Sequence, residues 1–239
     1  DISRLEREEN FLAMFGSPLL YFAYFAVVFG IFCMTVFVII TRYSSSIYGN
    51  EGYLTNTLPL KPSQIILAKL INFLIWIFIS YFVIFVSLFI LFPFEFFIRN
   101  IIKDSEFYQD LNTIVKEFFS SKYIFISILQ LIYNFFAHVQ SILIIFLSIA
   151  IANLFKSYKV VVGVIAFFII SIIFSFISAS VTYSAMRNLD VPVMYGDIDP
   201  IIFTSLRNGS MTSILYSLIS SVLLFFGVHY LHTHNLNLE

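Results

Sequence analysis

Long apolar runs separated by short polar stretches dominate the chain. A transmembrane helix needs about 20 mostly apolar residues to cross a bilayer, and five runs are long enough. They lie near Leu19–Thr41, Ile65–Phe92, Tyr123–Phe155, Val160–Val181 and Ser213–Leu231. The pattern predicts an all-α, polytopic transmembrane helical bundle, with residues 1–239 forming a single transmembrane domain.

Composition supports this prediction. The chain has 60% hydrophobic and 11% charged residues, whereas a soluble domain has about 25% charged residues. Cys33 is the only cysteine, so these residues contain neither an internal disulfide nor a multi-cysteine metal site. Five spans place the two ends of the chain on opposite sides of the membrane. Lys and Arg are spread too evenly over the loops to assign the sides.

The connection over residues 94–122 is long and carries mixed charge. Its apolar positions recur at helical spacing: Phe107, Leu111, Ile114 and Phe118. This stripe predicts an amphipathic helix. Two placements stay open: the helix lies on the membrane surface or caps the spans, or it packs on a partner subunit.

The third span carries a polar stripe on an otherwise apolar helix. Its members recur at steps of three and four residues: Ser127, Gln130, Asn134, His138 and Ser141. Polar groups in hydrocarbon are costly unless they have partners, so this face should point to other helices or to water. Two interpretations stay open: Gln130, Asn134 and His138 line a translocation path, or the stripe makes hydrogen bonds between helices.

Small residues form stripes on three other spans. They are Ala23, Ala26, Gly30 and Cys33 on the first, Ser171, Ser175 and Ser178 on the fourth, and Ser210, Ser213, Ser217 and Ser220 on the fifth. Small faces let helices approach closely. The stripes therefore favour a tight bundle or a dimer.

Motifs for catalysis are missing from the chain. It has no GxxxxGK[ST] phosphate loop and no HExxH pair. Its carboxylates all lie in the connections or at the termini, so no Ser/His/Asp set can be assembled. We therefore expect no catalytic residue, no metal site, no cofactor and no nucleic-acid partner.

The connection over residues 43–64 carries the most specific pattern. Its residues, in order, are Glu51, Gly52-Tyr53-Leu54 and Thr57-Leu58-Pro59, and Ala68-Lys69-Leu70 follows at the start of the next span. This order resembles the cytoplasmic segment after the second span of bacterial ABC-2-type transporter permeases, which have the type V exporter fold. The resemblance covers nearly all of the chain and is strong across Tyr43–Leu70.

The resemblance implies a six-span protein, of which the five visible spans would be spans two to six. Residues 1–10 would then lie outside the cell, after a first span that these residues lack. Residues 94–122 and 182–211 would also be extracellular, the latter with a re-entrant piece over Val191–Arg207. The simpler alternative for residues 43–64 is a polar hairpin that joins two spans.

The same resemblance implies that residues 43–64 are a cytoplasmic coupling segment, which docks on a separate ATPase subunit. The residues that it assigns to this role are Tyr48, Glu51, Gly52, Tyr53, Leu54 and Thr55. Two ATPase subunits, holding ATP and Mg, and a second permease, identical or different, would complete the assembly in membrane lipid. Pro59 and Pro62 would end the segment, and Ser63 would cap the next span.

The expected function is that of the permease subunit of an ATP-driven exporter in the bacterial plasma membrane. Its cargo would be hydrophobic or amphipathic: an antimicrobial or cytolytic peptide, a lipid or a drug. The alternatives are an ion-coupled secondary transporter, and an immunity or sensor protein without its own transport. The first alternative needs intramembrane acids or inverted repeats with broken helices, and no span has an Asp or Glu in its middle.

The third span is longer than a bilayer requires. Its roughly 33 residues at 1.5 Å each make about 50 Å, against a hydrocarbon core of about 30 Å. We expect this helix to be unbroken at Asn134 and its end near Phe155 to project toward the ATPase.

Overall fold

The computed structural model describes residues 2–49, 51–52, 60–99, 121–187 and 198–234, and within them it is helical with no strand. Five long helices follow in chain order: α1 (Ile2–Tyr48), α2 (Pro62–Arg99), α3 (Ser121–Ala152), α4 (Lys159–Arg187) and α5 (Ile198–His234). Each contains a stretch long and apolar enough to cross a membrane: Tyr21–Tyr48, Pro62–Ser87, Ile124–Ala152, Lys159–Ala185 and Phe203–His234. The predicted all-α, multi-pass membrane protein is confirmed.

Four of the helices extend beyond both ends of the predicted spans, and α3 is the exception. Hydropathy marks the part of a helix that lies in hydrocarbon, whereas the backbone hydrogen bonds of a helix continue into polar residues. Residues 2–10, which the apolar pattern leaves outside the first span, therefore belong to α1. Tyr43–Tyr48 likewise belongs to α1 and not to a loop.

The second helix begins differently from the prediction. Pro62 is its first residue, a position that suits proline because the missing N–H has no helical partner there. The backbone N–H of Lys61 donates to Oε1 of Gln64 at 3.1 Å, which is half of a capping box. Ser63 lies inside the first turn and is not the residue before the helix, so its predicted capping role is wrong.

The third helix is continuous through Asn134, as predicted, and runs for 32 residues. At 1.5 Å per residue its length is about 48 Å. It ends at Ala152, and a six-residue turn leads to α4. Tyr158, the last residue of that turn, has a φ of 59°, in the left-handed region that non-glycine residues seldom adopt.

The two longest connections are shortened by the helices on either side. The predicted amphipathic helix, Phe107 to Phe118, lies outside the described residues. On the other connection, α4 continues to Arg187 and α5 begins at Ile198. Residues 198–207 are continuous with the last span, so they do not form a separate re-entrant helix, and residues 191–197 lie outside the described residues.

The buried core lies at one end of the bundle, called the packed end below. The C-terminal parts of α1, α3 and α5 meet the N-terminal part of α2 there, and α4 joins through Gly163, where an added Cβ would lie 3.2 Å from Cβ of Ala152. The core residues are Ile39, Tyr43, Ile47, Ile66, Leu70, Phe73, Leu74, Ile142, Leu143, Ile144, Ile145, Phe146, Ile149, Leu224 and Val228.

Toward the opposite end, called the open end below, the large apolar side chains of α1, α2 and α3 are exposed. Phe25, Phe82 and Leu131 have 67%, 67% and 69% of their surface uncovered. Lipid tails are as apolar as these side chains, so no hydrophobic force drives the helices together there. α1 and α2 nevertheless remain paired by two hydroxyl contacts, Tyr24 Oη to Ser87 Oγ at 3.0 Å and Thr35 Oγ1 to Ser80 Oγ at 3.3 Å.

The three stripes of small residues have three different environments. The α1 stripe is exposed, and an added Cβ at Gly30 meets nothing within 4 Å. On α5, three of the four stripe residues are buried: Ser213, Ser217 and Ser220. The α4 stripe lines a cavity, described below. Close packing between helices, one of the two predicted consequences, is therefore found only on α5.

Candidate functional site

The turn that follows α1 depends on two glycines. The N–H of Gly49 donates to the carbonyl of Ser45 at 3.2 Å, and the N–H of Gly52 donates to the carbonyl of Gly49 at 2.8 Å. An added Cβ at Gly49 would lie 2.7 Å from the Ser45 oxygen, and one at Gly52 would lie against the carbonyl oxygen of Ile47. The chain can fold back this closely only because neither residue has a side chain.

Tyr48 connects this turn to the core. Its ring meets the edge of Tyr43 at 6.4 Å between centroids, and Tyr43 stacks on Phe146 at 3.7 Å with 8° between the planes. Phe73 of α2 meets the same Phe146 ring edge-on at 5.8 Å. These rings therefore form an unbroken series of contacts from the end of α1 to α2 and α3.

Glu51 lies exposed on the turn, at the rim of a cavity of about 340 Å³ between α1 and α2. Arg42 and Lys69 line the same cavity, with Ser46 and Asn72 as further polar residues. Two cationic groups and one carboxylate thus share one small space. The sequence does not predict that Arg42 and Lys69 line the same cavity, because they belong to different spans and are 27 positions apart.

Three of the six predicted coupling residues, Tyr48, Glu51 and Gly52, come together at the packed end. Glu51 is exposed, Tyr48 is half-buried and Gly52 is buried. The other three, Tyr53, Leu54 and Thr55, lie outside the described residues.

The predicted translocation residues lie in the middle of α3. Gln130 and Asn134 are exposed on the surface of the chain, and His138 is half-buried. The His138 ring lies 5.2 Å from the ring of Tyr81 on α2. His138 therefore lies where α2 and α3 meet, whereas Gln130 and Asn134 are open to whatever surrounds the chain in the membrane.

A second polar surface of α3 lies beside this stripe and shares Ser141 with it. Together with α4 it lines an open cavity of about 620 Å³. The polar residues of its wall are Tyr133, Gln140, Ser141, Ser171, Ser175, Ser178, Thr182 and Tyr183. The short side chains of the α4 serine stripe leave this space open.

Two contacts from α5 hold α4 beside this cavity. The hydroxyl of Tyr216 donates to the carbonyl of Phe174 at 2.6 Å, and Thr182 Oγ1 lies 2.9 Å from Ser213 Oγ. Gln140 was not predicted as a site residue, although Tyr133, Ala137, Gln140 and Ile144 recur at helical spacing. That spacing is the signal that could have found this surface.

Within the described ranges, no three His, Cys, Asp or Glu side chains form a group able to hold a metal ion. The described spans also lack the carboxylates that an acid–base site needs, since none of the five contains Asp or Glu. What the polar surfaces offer is hydroxyl, amide and imidazole groups, which bind by hydrogen bonding.

Comparison of the chain with family models, curated proteins and solved structures found no match. Its fold class and membrane character therefore rest on its own helices. Those helices make it an all-α membrane protein with five candidate spans in the described residues.

Proposed function

We propose that the chain is the permease subunit of an ATP-driven exporter of the ABC-2 type in the bacterial plasma membrane. Two permeases, identical or different, pair in the membrane, and two separate ATPase subunits supply the hydrolysis of ATP. The cargo is hydrophobic or amphipathic, such as a peptide, a lipid or a drug.

The observation that carries this proposal is the turn at the packed end. It presents Glu51 on its exposed side, while the backbone hydrogen bonds of Gly49 and Gly52 hold it closed and Tyr48 joins it to the core. A coupling element must both expose a docking surface and transmit force to the spans. A flexible polar hairpin would meet the first requirement and not the second.

The exposed part of the polar stripe supports a path between two permeases. Gln130 and Asn134 lie within the α3 span, and Asn134 is only four residues from its midpoint, where contact of an amide with lipid is costly. A second subunit or a hydrated path across this face would supply hydrogen-bond partners to both amides. The large apolar fraction of the surrounding surface suits a cargo that is itself partly apolar.

An ion-coupled secondary transporter is a weaker proposal. Coupling to protons or sodium generally uses acidic residues or broken helices within the membrane. The described spans contain no Asp or Glu, and α3 is unbroken through its polar stripe.

The proposal is tested by purifying the chain from its native membrane and identifying the proteins that elute with it. We expect an ATPase subunit to co-elute, and Glu51→Arg or Tyr53→Ala to abolish cargo stimulation of its ATP hydrolysis while membrane insertion is kept. The matched control is Lys159→Glu, which also reverses a charge at the packed end, at the first residue of α4. It should leave the coupling unchanged.

Two results would contradict the proposal. One is recovery of the chain without an ATPase under conditions that keep membrane complexes intact. The other is normal coupling in both Glu51→Arg and Tyr53→Ala, because the turn would then have no part in transmitting the hydrolysis step.

A further inference from the structure

Beside the cavity at Glu51, a second space lies along the same pair of helices. This apolar groove between α1 and α2 has a volume of about 460 Å³. Val38, Phe73 and Trp76 line both spaces, so the two are neighbours, and together they are called the cleft below. The part of the cleft that contains Arg42, Glu51 and Lys69 is called the charged cavity below.

The apolar groove is lined by side chains that would contact a hydrocarbon chain. Its wall consists of Gly30, Ile31, Met34, Thr35, Val38, Ile39, Phe73, Trp76 and Ser80. The Thr35–Ser80 hydroxyl contact, at 3.3 Å, joins the two helices beside it. Gly30 faces open space, so the groove continues along α1 without obstruction at that position.

The depth of the charged cavity matches the lipid headgroups. Arg42 lies six residues before the end of α1 and Lys69 seven residues after the start of α2, so each is roughly 10 Å along its helix from the turn. The two spans are 28 and 26 residues long, longer than the about 20 residues that hydrocarbon requires. With the excess of eight and six residues at the packed end, Arg42 lies at the boundary between headgroups and acyl chains. Lys69 then lies just inside this boundary, and its long side chain can reach the headgroups.

The charges of the cavity favour an anion. Arg42 and Lys69 carry two positive charges against the one negative charge of Glu51, which leaves a net charge of +1 on these three side chains. Asn72 and the exposed indole of Trp76 add hydrogen-bond donors beside them. Guanidinium and ammonium groups are the usual partners of phosphate.

We propose that the cleft between α1 and α2 binds an anionic glycerophospholipid. Arg42 and Lys69 hold the phosphate of the headgroup, and one acyl chain lies in the apolar groove past Trp76 toward Gly30. A free phosphate would leave the groove unfilled, and a zwitterionic headgroup would not match the net positive charge. The site does not depend on the transport proposal, because it requires only the membrane and the helix pair.

The chain provides its own probe for this site. Trp76 is the only tryptophan, and its side chain lines both the charged cavity and the apolar groove. Bromine atoms on an acyl chain quench indole fluorescence at short range. The chain is therefore reconstituted in vesicles that contain either brominated phosphatidylglycerol in phosphatidylcholine or brominated phosphatidylcholine in phosphatidylglycerol, at equal fractions of the brominated lipid.

We expect brominated phosphatidylglycerol to occupy the site about fivefold more strongly for each cation that holds it. Arg42→Gln and Lys69→Gln should each lower this preference about fivefold. Lys159→Gln is the matched control, since it deletes a cation at the same end of the bundle but outside the cleft. Gly30→Leu, which fills the groove, should lower quenching by both lipids.

The unaltered chain tests the proposal even if a variant fails to insert. Unlabelled phosphatidylglycerol should displace the quencher and restore Trp76 fluorescence, and unlabelled phosphatidylcholine should not. Equal quenching by the two brominated lipids would overturn the proposal. A loss of preference in Lys159→Gln as large as that in Arg42→Gln or Lys69→Gln would also overturn it, because it would show a general attraction of lipids to a basic surface. Displacement by free glycerol phosphate would overturn the lipid assignment in favour of a soluble phosphate.

Discussion

The packed end and the open end of the bundle are made from the same helices and nearly the same residue types, yet they differ in how they are held. At the packed end, Tyr43, Phe73 and Phe146 form a stacked aromatic cluster with at most 2% of any side chain exposed. At the open end, phenylalanines of α1 and α2 lie on the surface, with Phe25 and Phe82 both 67% exposed. In a membrane, an apolar side chain is in an apolar environment both when it is buried against another helix and when it is exposed to lipid.

The difference shows where this protein uses side-chain packing. Because lipid competes equally for an apolar face, helices stay together where packing is tight or where polar groups meet. The packed end has tight packing, and it carries the turn of Gly49 and Gly52. The open end keeps large apolar side chains exposed to the surroundings of the chain.

The largest effect should come from removing the ring at the centre of the aromatic cluster. Phe146→Ala should lower the free energy of unfolding by about 3 kcal/mol, since the cavity left between Tyr43 and Phe73 cannot be filled by lipid. Phe82→Ala is the matched control at the open end, and it should change stability by about 0.5 kcal/mol or less. Thermal unfolding in detergent measures both, and equal losses would remove the distinction between the two ends.

A glycine at each end gives a second matched pair. Gly52→Ala should destabilise the protein by about 1 to 3 kcal/mol, because the new Cβ would lie against the carbonyl oxygen of Ile47. Gly30→Ala should stabilise α1 by up to about 1 kcal/mol, since the position is open and alanine favours a helix. Opposite signs in the same unfolding assay are expected. A loss of stability in Gly30→Ala would show that the open end is packed in the assembled protein.

Substitutions in the polar stripe test whether it serves activity or stability. Asn134→Leu combined with His138→Leu should change cargo-stimulated ATP hydrolysis and export, with a loss of stability smaller than that of Phe146→Ala. The reason is that Asn134 is exposed and His138 is only half-buried. A large fall in unfolding temperature with unchanged cargo selectivity would mean that the stripe is structural, as its contact with Tyr81 would then indicate.

The smallest effect is expected in the turn between α3 and α4. Tyr158 has a φ of 59°, which is unfavourable for a tyrosine and easier for an asparagine. Tyr158→Asn should raise stability by about 0.5 to 1 kcal/mol, whereas Tyr158→Phe should be neutral because its backbone preference is the same. A loss of stability in Tyr158→Asn would show that the ring, although 79% exposed, is held by a partner at this end.

The number and order of the helices were predictable because an apolar run of span length has few alternatives to a helix in a membrane. The helix ends were less predictable. Pro62 is the first residue of α2, and the backbone N–H of Lys61 donates to the side chain of Gln64. Ser63 therefore does not cap the helix. Both proline and serine are good residues near a helix start, so the sequence alone could not rank them.

The candidate site was predicted in part. Tyr48, Glu51 and Gly52 meet at one turn, as their closeness in sequence requires. Two features were not predicted: the cavity shared by Arg42 and Lys69, and the cavity at Gln140. Each depends on which faces of two helices meet. The α1 stripe of small residues shows the same limit, since its spacing resembles that of the buried α5 stripe and its environment is exposed.

The sequence by itself determined that the chain lies in a membrane, where the five spans of the described residues lie and where polar residues interrupt them. Backbone hydrogen bonding in hydrocarbon leaves only helices for such runs, so composition and length are sufficient. Only the tertiary structure decided that Tyr43 and Phe146 are stacked while Phe25 and Phe82 are exposed. The reason is that a lipid-facing and a helix-facing phenylalanine have the same transfer free energy, and shape alone separates them.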